Sequence, residues 1–314
     1  MLELVGFIDV PPGAEPGFDH ADVHLDSGLL YVAHTGADRI DVIDCRTDIY
    51  LRALADLPGV AGVLIDNESD LLFSSDRGAA RVSIFRCSNE AVLGQVQVGP
   101  HPNGLAYDPD RACLFAFCLG EPPGTDCTVS VVDVDHGEVV AGLSLPGRPR
   151  WAVFDGETDS VFANIADPPQ ILVIGGKSLS VDRTIGVPAT GPHGLALEGA
   201  RLYCATDDGW LVALDKGSGE VLGSLALPGS PDVVMLDAEQ SRLFVAIGDP
   251  GVVFVVDTVR LRKVDEIKTE EGAHTIAWNP TLRKLYAFLP KSRGVSVFSE
   301  GSPPAAHSSD GGTT

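Results

Sequence analysis

Two histidines stand at matching places in two similar segments of the chain. Residues 191–198 read GPHGLALE and residues 272–279 read GAHTIAWN, so His193 and His274 each lie five residues before a polar residue that closes a short apolar run. An imidazole can transfer a proton near neutral pH or ligate a divalent metal. Because the two histidines share one sequence context, the repeat to which they belong must be defined first.

The polar residue that closes each run recurs seven times along the 314-residue chain, at intervals of 39 to 47 residues. Within each interval, short apolar segments such as LLYVAHT and GVVFVVD are separated by turns rich in Gly, Pro and Asp. This pattern is typical of β-strands, and a repeat of about forty residues holds four of them. The closing residues are Asp26, Asp66, Asp108, Asp155, Glu198, Asp237 and Asn279.

The two ends of the chain complement each other. The seventh repeat stops after GVSVFSE, one outer strand short, and the N-terminal segment LELVGFIDV has the alternation of the missing strand. Pairing them would close a ring of blades and leave no open sheet. We therefore predict an all-β fold, a seven-bladed β-propeller with four antiparallel strands per blade, as a single domain over residues 1–299. Residues 300–314 are predicted to be a disordered polar tail.

Composition restricts the partners that the protein can have. The formal net charge of −22 argues against nucleic acid and anionic membranes, whose phosphates would be repelled. The first residues, MLELVGFIDV, lack the basic start of a signal peptide, and no apolar run reaches the length of a membrane span, so we expect a cytoplasmic protein. The six cysteines form no CxxC or CxxCH motif, which predicts thiols rather than a redox or haem centre.

The innermost strand of each propeller blade starts near the central channel, so equivalent residues should form a ring. The positions five residues before the closing residues are Ala21, Ala61, Asn103, Arg150, His193, Asp232 and His274. A one-residue slip of the first strand would bring His20 into this ring in place of Ala21. His193, Asp232, His274 and His20 would then converge from contiguous blades, and we predict that they bind a divalent metal, Zn, Fe, Mn or Ni.

The opposite side of the ring is predicted to bind substrate. Arg150 can hold a carboxylate or phosphate through two parallel hydrogen bonds, and Asn103 can orient the same group. His101, two residues before Asn103, could also reach the channel mouth. The alternative is that these polar residues at strand starts bind only the water of the channel.

The units PHGLALEGARLYCATDDGWLVALDKGSGEVLG and HADVHLDSGLLYVAHTGADRIDVIDCRT resemble YVTN-type repeats, a group related to NHL, SMP-30/gluconolactonase and streptogramin-lyase propellers. The resemblance covers nearly the whole chain and implies the propeller fold. It also implies a divalent metal held by ring residues, as in PNGLAYD (Asn103) and PDVVMLD (Asp232). Histidines stand here where that family uses oxygen ligands, and the blade 1 ring position carries no acid, so a softer metal is implied.

The ring suggests a hydrolase or lyase that acts on a small anionic molecule such as a lactone or cyclic ester. The metal would polarise a carbonyl or activate water, Arg150 would hold the anionic group, and His20, His193 or His274 would move the proton. The alternative is a non-catalytic propeller that binds a protein or small ligand on one face, with the long loop LGEPPGTDCT as a contact point.

Overall fold

A computed structural model describes residues 2–15 and 17–300 of the chain. These residues form 28 β-strands in seven four-stranded antiparallel sheets. Two short 3₁₀ turns, Thr35–Ala37 and Arg77–Ala79, follow the second strands of the first two blades. The described part of the chain contains no helix long and apolar enough to cross a membrane. The predicted all-β, seven-bladed propeller is confirmed.

Each blade begins at the central channel and ends at the rim. The innermost strands of blades 1 to 7 are β2 (Ala21–His24), β6 (Val60–Asp66), β10 (Pro102–Asp108), β14 (Pro149–Asp155), β18 (Pro192–Glu198), β22 (Pro231–Asp237) and β26 (Thr275–Asn279). The second strands are β3 (Leu29–His34), β7 (Leu71–Asp76), β11 (Cys113–Cys118), β15 (Ser160–Ile165), β19 (Arg201–Thr206), β23 (Arg242–Ile247) and β27 (Lys284–Leu289).

The two outer strands of each blade complete the sheet. The third strands are β4 (Arg39–Asp44), β8 (Arg81–Arg86), β12 (Thr128–Asp133), β16 (Gln170–Gly175), β20 (Trp210–Asp215), β24 (Val252–Asp257) and β28 (Gly294–Glu300). The outer strands are β5 (Ile49–Leu54), β9 (Val92–Gln97), β13 (Glu138–Ser144), β17 (Val181–Gly186), β21 (Val221–Ala226), β25 (Arg262–Lys268) and, for blade 7, β1 (Leu2–Asp9).

The N-terminal strand closes the ring as predicted. β1 pairs antiparallel with β28, from Leu2 opposite Glu300 to Asp9 opposite Gly294. The seventh blade therefore joins the two ends of the chain. The last strand includes Glu300, one residue beyond the predicted domain boundary, and the rest of the predicted disordered tail lies outside the described residues.

The hydrophobic core lies between the blades. Seven clusters of buried side chains fill the seven interfaces between neighbouring blades, and Tyr31, Phe115 and Phe244 are fully buried members of three of them. The second and third strands are covered on both faces, which explains why they read as nearly continuous apolar runs. All six cysteines lie among the described residues, and each is a buried thiol without a disulfide.

A β-bulge near the start of the innermost strand sets the geometry of the channel mouth. In blade 5, Pro192 pairs with Thr206 and Leu195 with Cys204, so His193 and Gly194 together oppose one residue. The same shift occurs in blades 2, 3, 4 and 6. A Cβ atom on Gly194 would lie 2.5 Å from the carbonyl oxygen of Asp232. The glycine therefore allows the next blade to approach closely at the bulge.

Candidate functional site

The strand register corrects the predicted ring in blade 1. His24 pairs with Leu29 across the first turn, so the inner strand ends at His24 and Asp26 lies inside the turn. Counting five residues back from His24 gives Asp19, and neither Ala21 nor His20 holds the ring position. Asp19 and His20 form the bulge opposite Ala33, as the backbone bonds from Asp19 N to Ala33 O and from Ala33 N to His20 O show. The count from the sequence is shifted because it starts from Asp26, an acid inside the turn, instead of from the last residue of the strand.

Because of this register, the blade 1 ring position does carry an acid, contrary to the prediction. Two further charged residues, Arg77 and Asp207, reach the ring from the loops after β7 and β19. We call the polar group at this end of the channel the mouth ring; it consists of Asp19, Arg77, Asn103, Arg150, His193, Asp207, Asp232 and His274. The loop residues could have been noticed, because Arg77 and Asp207 occupy one repeat position that is uncharged in the other five blades.

His193 is the centre of the ion-paired half of the mouth ring. Its Nδ1 lies 2.7 Å from Asp207 Oδ1 and its Nε2 lies 3.1 Å from Asp232 Oδ1. Burial alone would lower the pKa of this imidazole, but the hydrogen bonds to the two carboxylates outweigh it and raise the pKa to about 9. The same contacts hold the pKa values of Asp207 and Asp232 below their usual range despite burial. His193 is therefore an imidazolium at neutral pH.

Arg150 lies beside this imidazolium with few partners of its own. Its Nη2 is 3.3 Å from Asp207 Oδ2, and its Nη1 faces His193 Nε2 at 3.3 Å. The Nε2–H group of His193 donates its hydrogen bond to Asp232. The contact between Arg150 Nη1 and His193 Nε2 therefore brings two cations together and is not a good hydrogen bond. The buried Arg150 Nε has no hydrogen-bond partner among the described residues. Burial lowers the pKa of the guanidinium, which an anion would reverse.

His274 is the most accessible imidazole of the mouth ring, with 39% of its side chain exposed. Its Nδ1 lies 3.7 Å from Asp232 Oδ2, and its Nε2 lies 3.3 Å from the carbonyl oxygen of Phe18. Asp232 thus stands between two imidazoles, one fixed in a charged pair and one open to solvent.

Blades 1 to 3 form the other half of the mouth ring. Arg77 Nη2 lies 2.9 Å from Asp19 Oδ2 and also donates to Asn103 Oδ1. The predicted substrate-binding residue Asn103 is therefore at the mouth, but its side-chain oxygen is engaged by Arg77. His101 has a left-handed backbone, with φ of 51°, and its Nδ1 lies 3.0 Å from the carbonyl oxygen of Gly120. This contact ties His101 to the loop after β11, and its role in binding substrate stays a prediction.

His20 lies one residue past the mouth ring and packs across the channel against Trp151. The two ring centroids are 4.4 Å apart, and His20 Nε2 lies 3.4 Å from Asp19 Oδ1. Burial lowers the pKa of His20, so the imidazole is neutral near pH 7. Beyond this pair is a cavity of about 370 Å³ lined by inner-strand residues that include Asp22, Tyr107, Phe154 and Met235. His20 and Trp151 thus stand between the mouth ring and this cavity.

The four predicted metal ligands have donors of the right type, but their arrangement does not match a metal centre. Both nitrogens of His193 are committed to carboxylates, and His20 contacts Asp19 and Trp151. Among the described residues, only His24, Asp70 and Cys87 bring three possible ligand atoms within 4.8 Å of one another. Binding of a metal by His193, Asp232, His274 and His20 stays a prediction.

The fold and the mouth ring together define a seven-bladed β-propeller with a charged site at one end of its channel. No protein-family model matches the chain. Uncharacterized protein YncE of Escherichia coli K12 is 30% identical over 148 residues, which cover 41% of this chain and 42% of YncE. YncE of Escherichia coli O157:H7 is 29% identical over the same share. The chain therefore matches less than half the length of these relatives.

Two solved structures resemble nearly the whole chain. Kuenenia stuttgartiensis hydrazine synthase superposes with a TM-score of 0.81 at 15% identity, over 93% of this chain and 98% of that chain. A chain of the mitotic checkpoint complex superposes with a TM-score of 0.80 at 13% identity, over 95% of this chain and 92% of that chain. At such identities the similarity shows the fold alone, and the YVTN-type and SMP-30-type relationship stays a prediction.

Proposed function

We propose that the protein is a hydrolase or lyase whose mouth ring acts on a small anionic molecule of the lactone or cyclic-ester type. The observation that supports this best is one chain of contacts across blades 4 to 7. Arg150 contacts His193, His193 contacts Asp232, and Asp232 lies next to the exposed His274. A guanidinium with unused donors and an accessible imidazole therefore belong to one site.

Arg150 supplies the recognition of the negative charge. Its guanidinium has one long contact with Asp207, and the neighbouring imidazolium of His193 adds a second positive charge. A carboxylate or phosphate placed here would accept two parallel hydrogen bonds from Arg150 and relieve the repulsion between the two cations. The substrate must therefore carry an anionic group close to its reacting bond.

His274 supplies the proton transfer. In a hydrolase, its imidazole takes a proton from water as the water oxygen bonds to the carbonyl carbon, and returns it to the leaving oxygen as the C–O bond breaks. In a lyase, it takes a proton from the carbon next to the carboxylate, a C=C bond forms as the C–O bond at the neighbouring carbon breaks, and the leaving oxygen receives the proton. Asp232, 3.7 Å from the Nδ1 atom of His274, lies on the side of the imidazole that faces His193. The fixed charge of His193 can stabilise an oxyanion that develops beside it.

The proposal is tested by turnover of anionic lactones and cyclic esters by the purified protein and two variants. His274→Gln removes the proton-transfer group and should lower kcat by about 100-fold or more. Arg150→Met removes the anion-binding group and should act mainly on KM. His136→Gln is the matched control, because His136 is also paired with an aspartate but lies exposed on blade 3, away from the channel. Turnover that survives His274→Gln unchanged would contradict the assignment.

The alternative is a propeller that binds a protein or small ligand without chemistry. One observation favours it: residues Glu121–Asp126 of the long loop after β11 are all exposed. Two results together would support binding alone. Anionic ligands would bind in a way that requires Arg150 but would not be turned over, and replacement of this loop by a short glycine-serine turn would change their affinity.

A further inference from the structure

The blades also contact each other at the opposite end of the inner strands, through one repeated pair of positions. The last residue of an inner strand faces the residue that follows the third strand of the next blade. Between blades 4 and 5 this pair is Asp155 and Lys216, whose Nζ lies 2.7 Å from Asp155 Oδ2. We call this contact the base seam. Between blades 1 and 2, the same two positions hold His24 and Cys87.

We propose that the base seam of blades 1 and 2 is a zinc site with His24 Nε2, Asp70 and Cys87 Sγ as its protein ligands. The three ligand atoms all lie within 4.8 Å of one another, and His24 Nε2 is 3.5 Å from Asp70 Oδ1. A nitrogen, an oxygen and a sulfur donor are the ligands that Zn²⁺ accepts in a tetrahedral site. His24 and Cys87 are buried, whereas 28% of the Asp70 side chain is exposed. Water can therefore reach the fourth coordination position.

The neighbouring groups orient these ligands as expected around a metal. His24 Nδ1 lies 2.9 Å from Ser27 Oγ, which directs Nε2 toward Asp70 and Cys87. Ser88 donates to both oxygens of Asp70, from its backbone N at 2.8 Å and from its Oγ at 2.6 Å. Each carboxylate oxygen keeps a lone pair for a cation. A fixed ring orientation and a hydrogen-bonded carboxylate are typical of groups that support metal ligands.

Binding of a cation at this cluster depends on the ligand atoms themselves. Asp70 supplies a carboxylate, and Cys87 supplies a thiolate once its proton has left. Two arginines lie nearby: Arg86 Nη1 is 3.7 Å from Asp70 Oδ2, and Arg46 donates to the carbonyl oxygens of Ser27 and Asp26. Binding would exchange the thiol proton for the metal, so that a zinc–sulfur bond forms and the proton leaves to solvent. The alternative is that His24 only packs against the Cys87 thiol and that no metal binds there.

The experiment uses the untagged, chelator-treated full-length protein and Co²⁺ as a spectroscopic substitute for Zn²⁺. The wild type should bind one equivalent of Co²⁺ with a thiolate-to-cobalt charge-transfer band, which Zn²⁺ then abolishes. Cys87→Ser and His24→Gln should lose the band. Cys45→Ser is the matched control, because Cys45 occupies the same repeat position at the seam of blades 7 and 1, and it should keep the band.

The outcomes separate this site from the mouth ring. The mouth ring contains no cysteine, so Co²⁺ bound there cannot give the thiolate band. Failure of the turnover tests at His274 therefore leaves the zinc site unaffected. Absence of a saturable thiolate band in the folded wild type, or the same band in folded Cys87→Ser, would overturn the proposal.

Discussion

Two base seams of the propeller use the same repeat positions in different ways. Between blades 4 and 5, Lys216 Nζ contacts Asp155 at 2.7 Å and Glu157 at 2.6 Å, so the seam carries its own counter-charge. Between blades 1 and 2, His24 and Cys87 face Asp70 without a lysine. The first seam is complete as folded, whereas the second gathers three ligand atoms around one point. The comparison shows that the same two repeat positions can hold either an ion pair that neutralises itself or a set of possible metal-ligand atoms.

The largest expected effect comes from breaking the complete seam. Lys216→Met leaves the Asp155 carboxylate, which is almost fully covered, without its cation, and should lower the free energy of unfolding by about 3 kcal/mol. The Lys216 ammonium group also contacts the exposed Glu157, so the loss of stability should fall at the low end of the range for a broken buried ion pair. Urea unfolding measures it. The control is Lys263→Met, in a half-exposed pair with Glu266, where less than about 1 kcal/mol is expected. Equal losses of stability in Lys216→Met and Lys263→Met would show that the covered ion pair is no stronger than the half-exposed one.

The second prediction concerns the seam of blades 1 and 2. Zinc at about a hundred times its dissociation constant should stabilise the folded protein by about 2.7 kcal/mol, since zinc binds the folded state. The shift should be lost in Cys87→Ser and retained in Lys216→Met, because the two seams are separate. Thermal unfolding with and without zinc measures this. A zinc response that Lys216→Met abolishes would mean that the seams are coupled.

The third prediction contrasts ion pairs at the two ends of the channel. The pKa of Lys216 is raised and that of Asp155 lowered, so this base pair stays charged throughout neutral pH. At the mouth, the folded-state pKa of His193 is about 9, above its usual 6.5. Its stabilisation is therefore full below pH 6.5 and is lost as the pH rises through 9.

Between pH 6.5 and about pH 8, this loss should amount to about 1.5 kcal/mol relative to His193→Gln, because one pKa unit corresponds to about 1.4 kcal/mol. Urea unfolding of both proteins across this range measures the difference. A difference that stays constant with pH would show that His193 is not held as an imidazolium.

Regular spacing explains how much of this architecture the sequence predicts. The closing residues identify the blades, and counting back from them finds Asn103, Arg150, His193 and Asp232, because the bulge recurs at the same place in these four strands. The same count reaches His274 in blade 7. The missing strand of blade 7 was predictable for the same reason. These features repeat, so one rule serves several blades.

The features that do not repeat were missed. Asp26 lies in a turn, and only the pairing of His24 with Leu29 shows that Asp19 occupies the mouth. Arg77 and Asp207 come from loops that the count of strand positions does not include. The contact between His24 and Cys87 joins two blades, so it depends on how the blades pack rather than on any one repeat. Such positions require the register and the packing of the folded chain.

The smallest expected effect tests whether distance alone determines the strength of a histidine–aspartate pair. His136 Nδ1 lies 2.9 Å from Asp133 Oδ2, close to the 2.7 Å between His193 and Asp207. His136 is largely exposed, however, so water and salt screen its pair. His136→Gln should leave the urea midpoint unchanged at every pH from 6.5 to about 8, while His193→Gln lowers it most at the acid end of that range. A matching pH-dependent loss in His136→Gln would show that the exposed pair is as strong as the covered one, and enclosure at the channel mouth would then not account for the charge on His193.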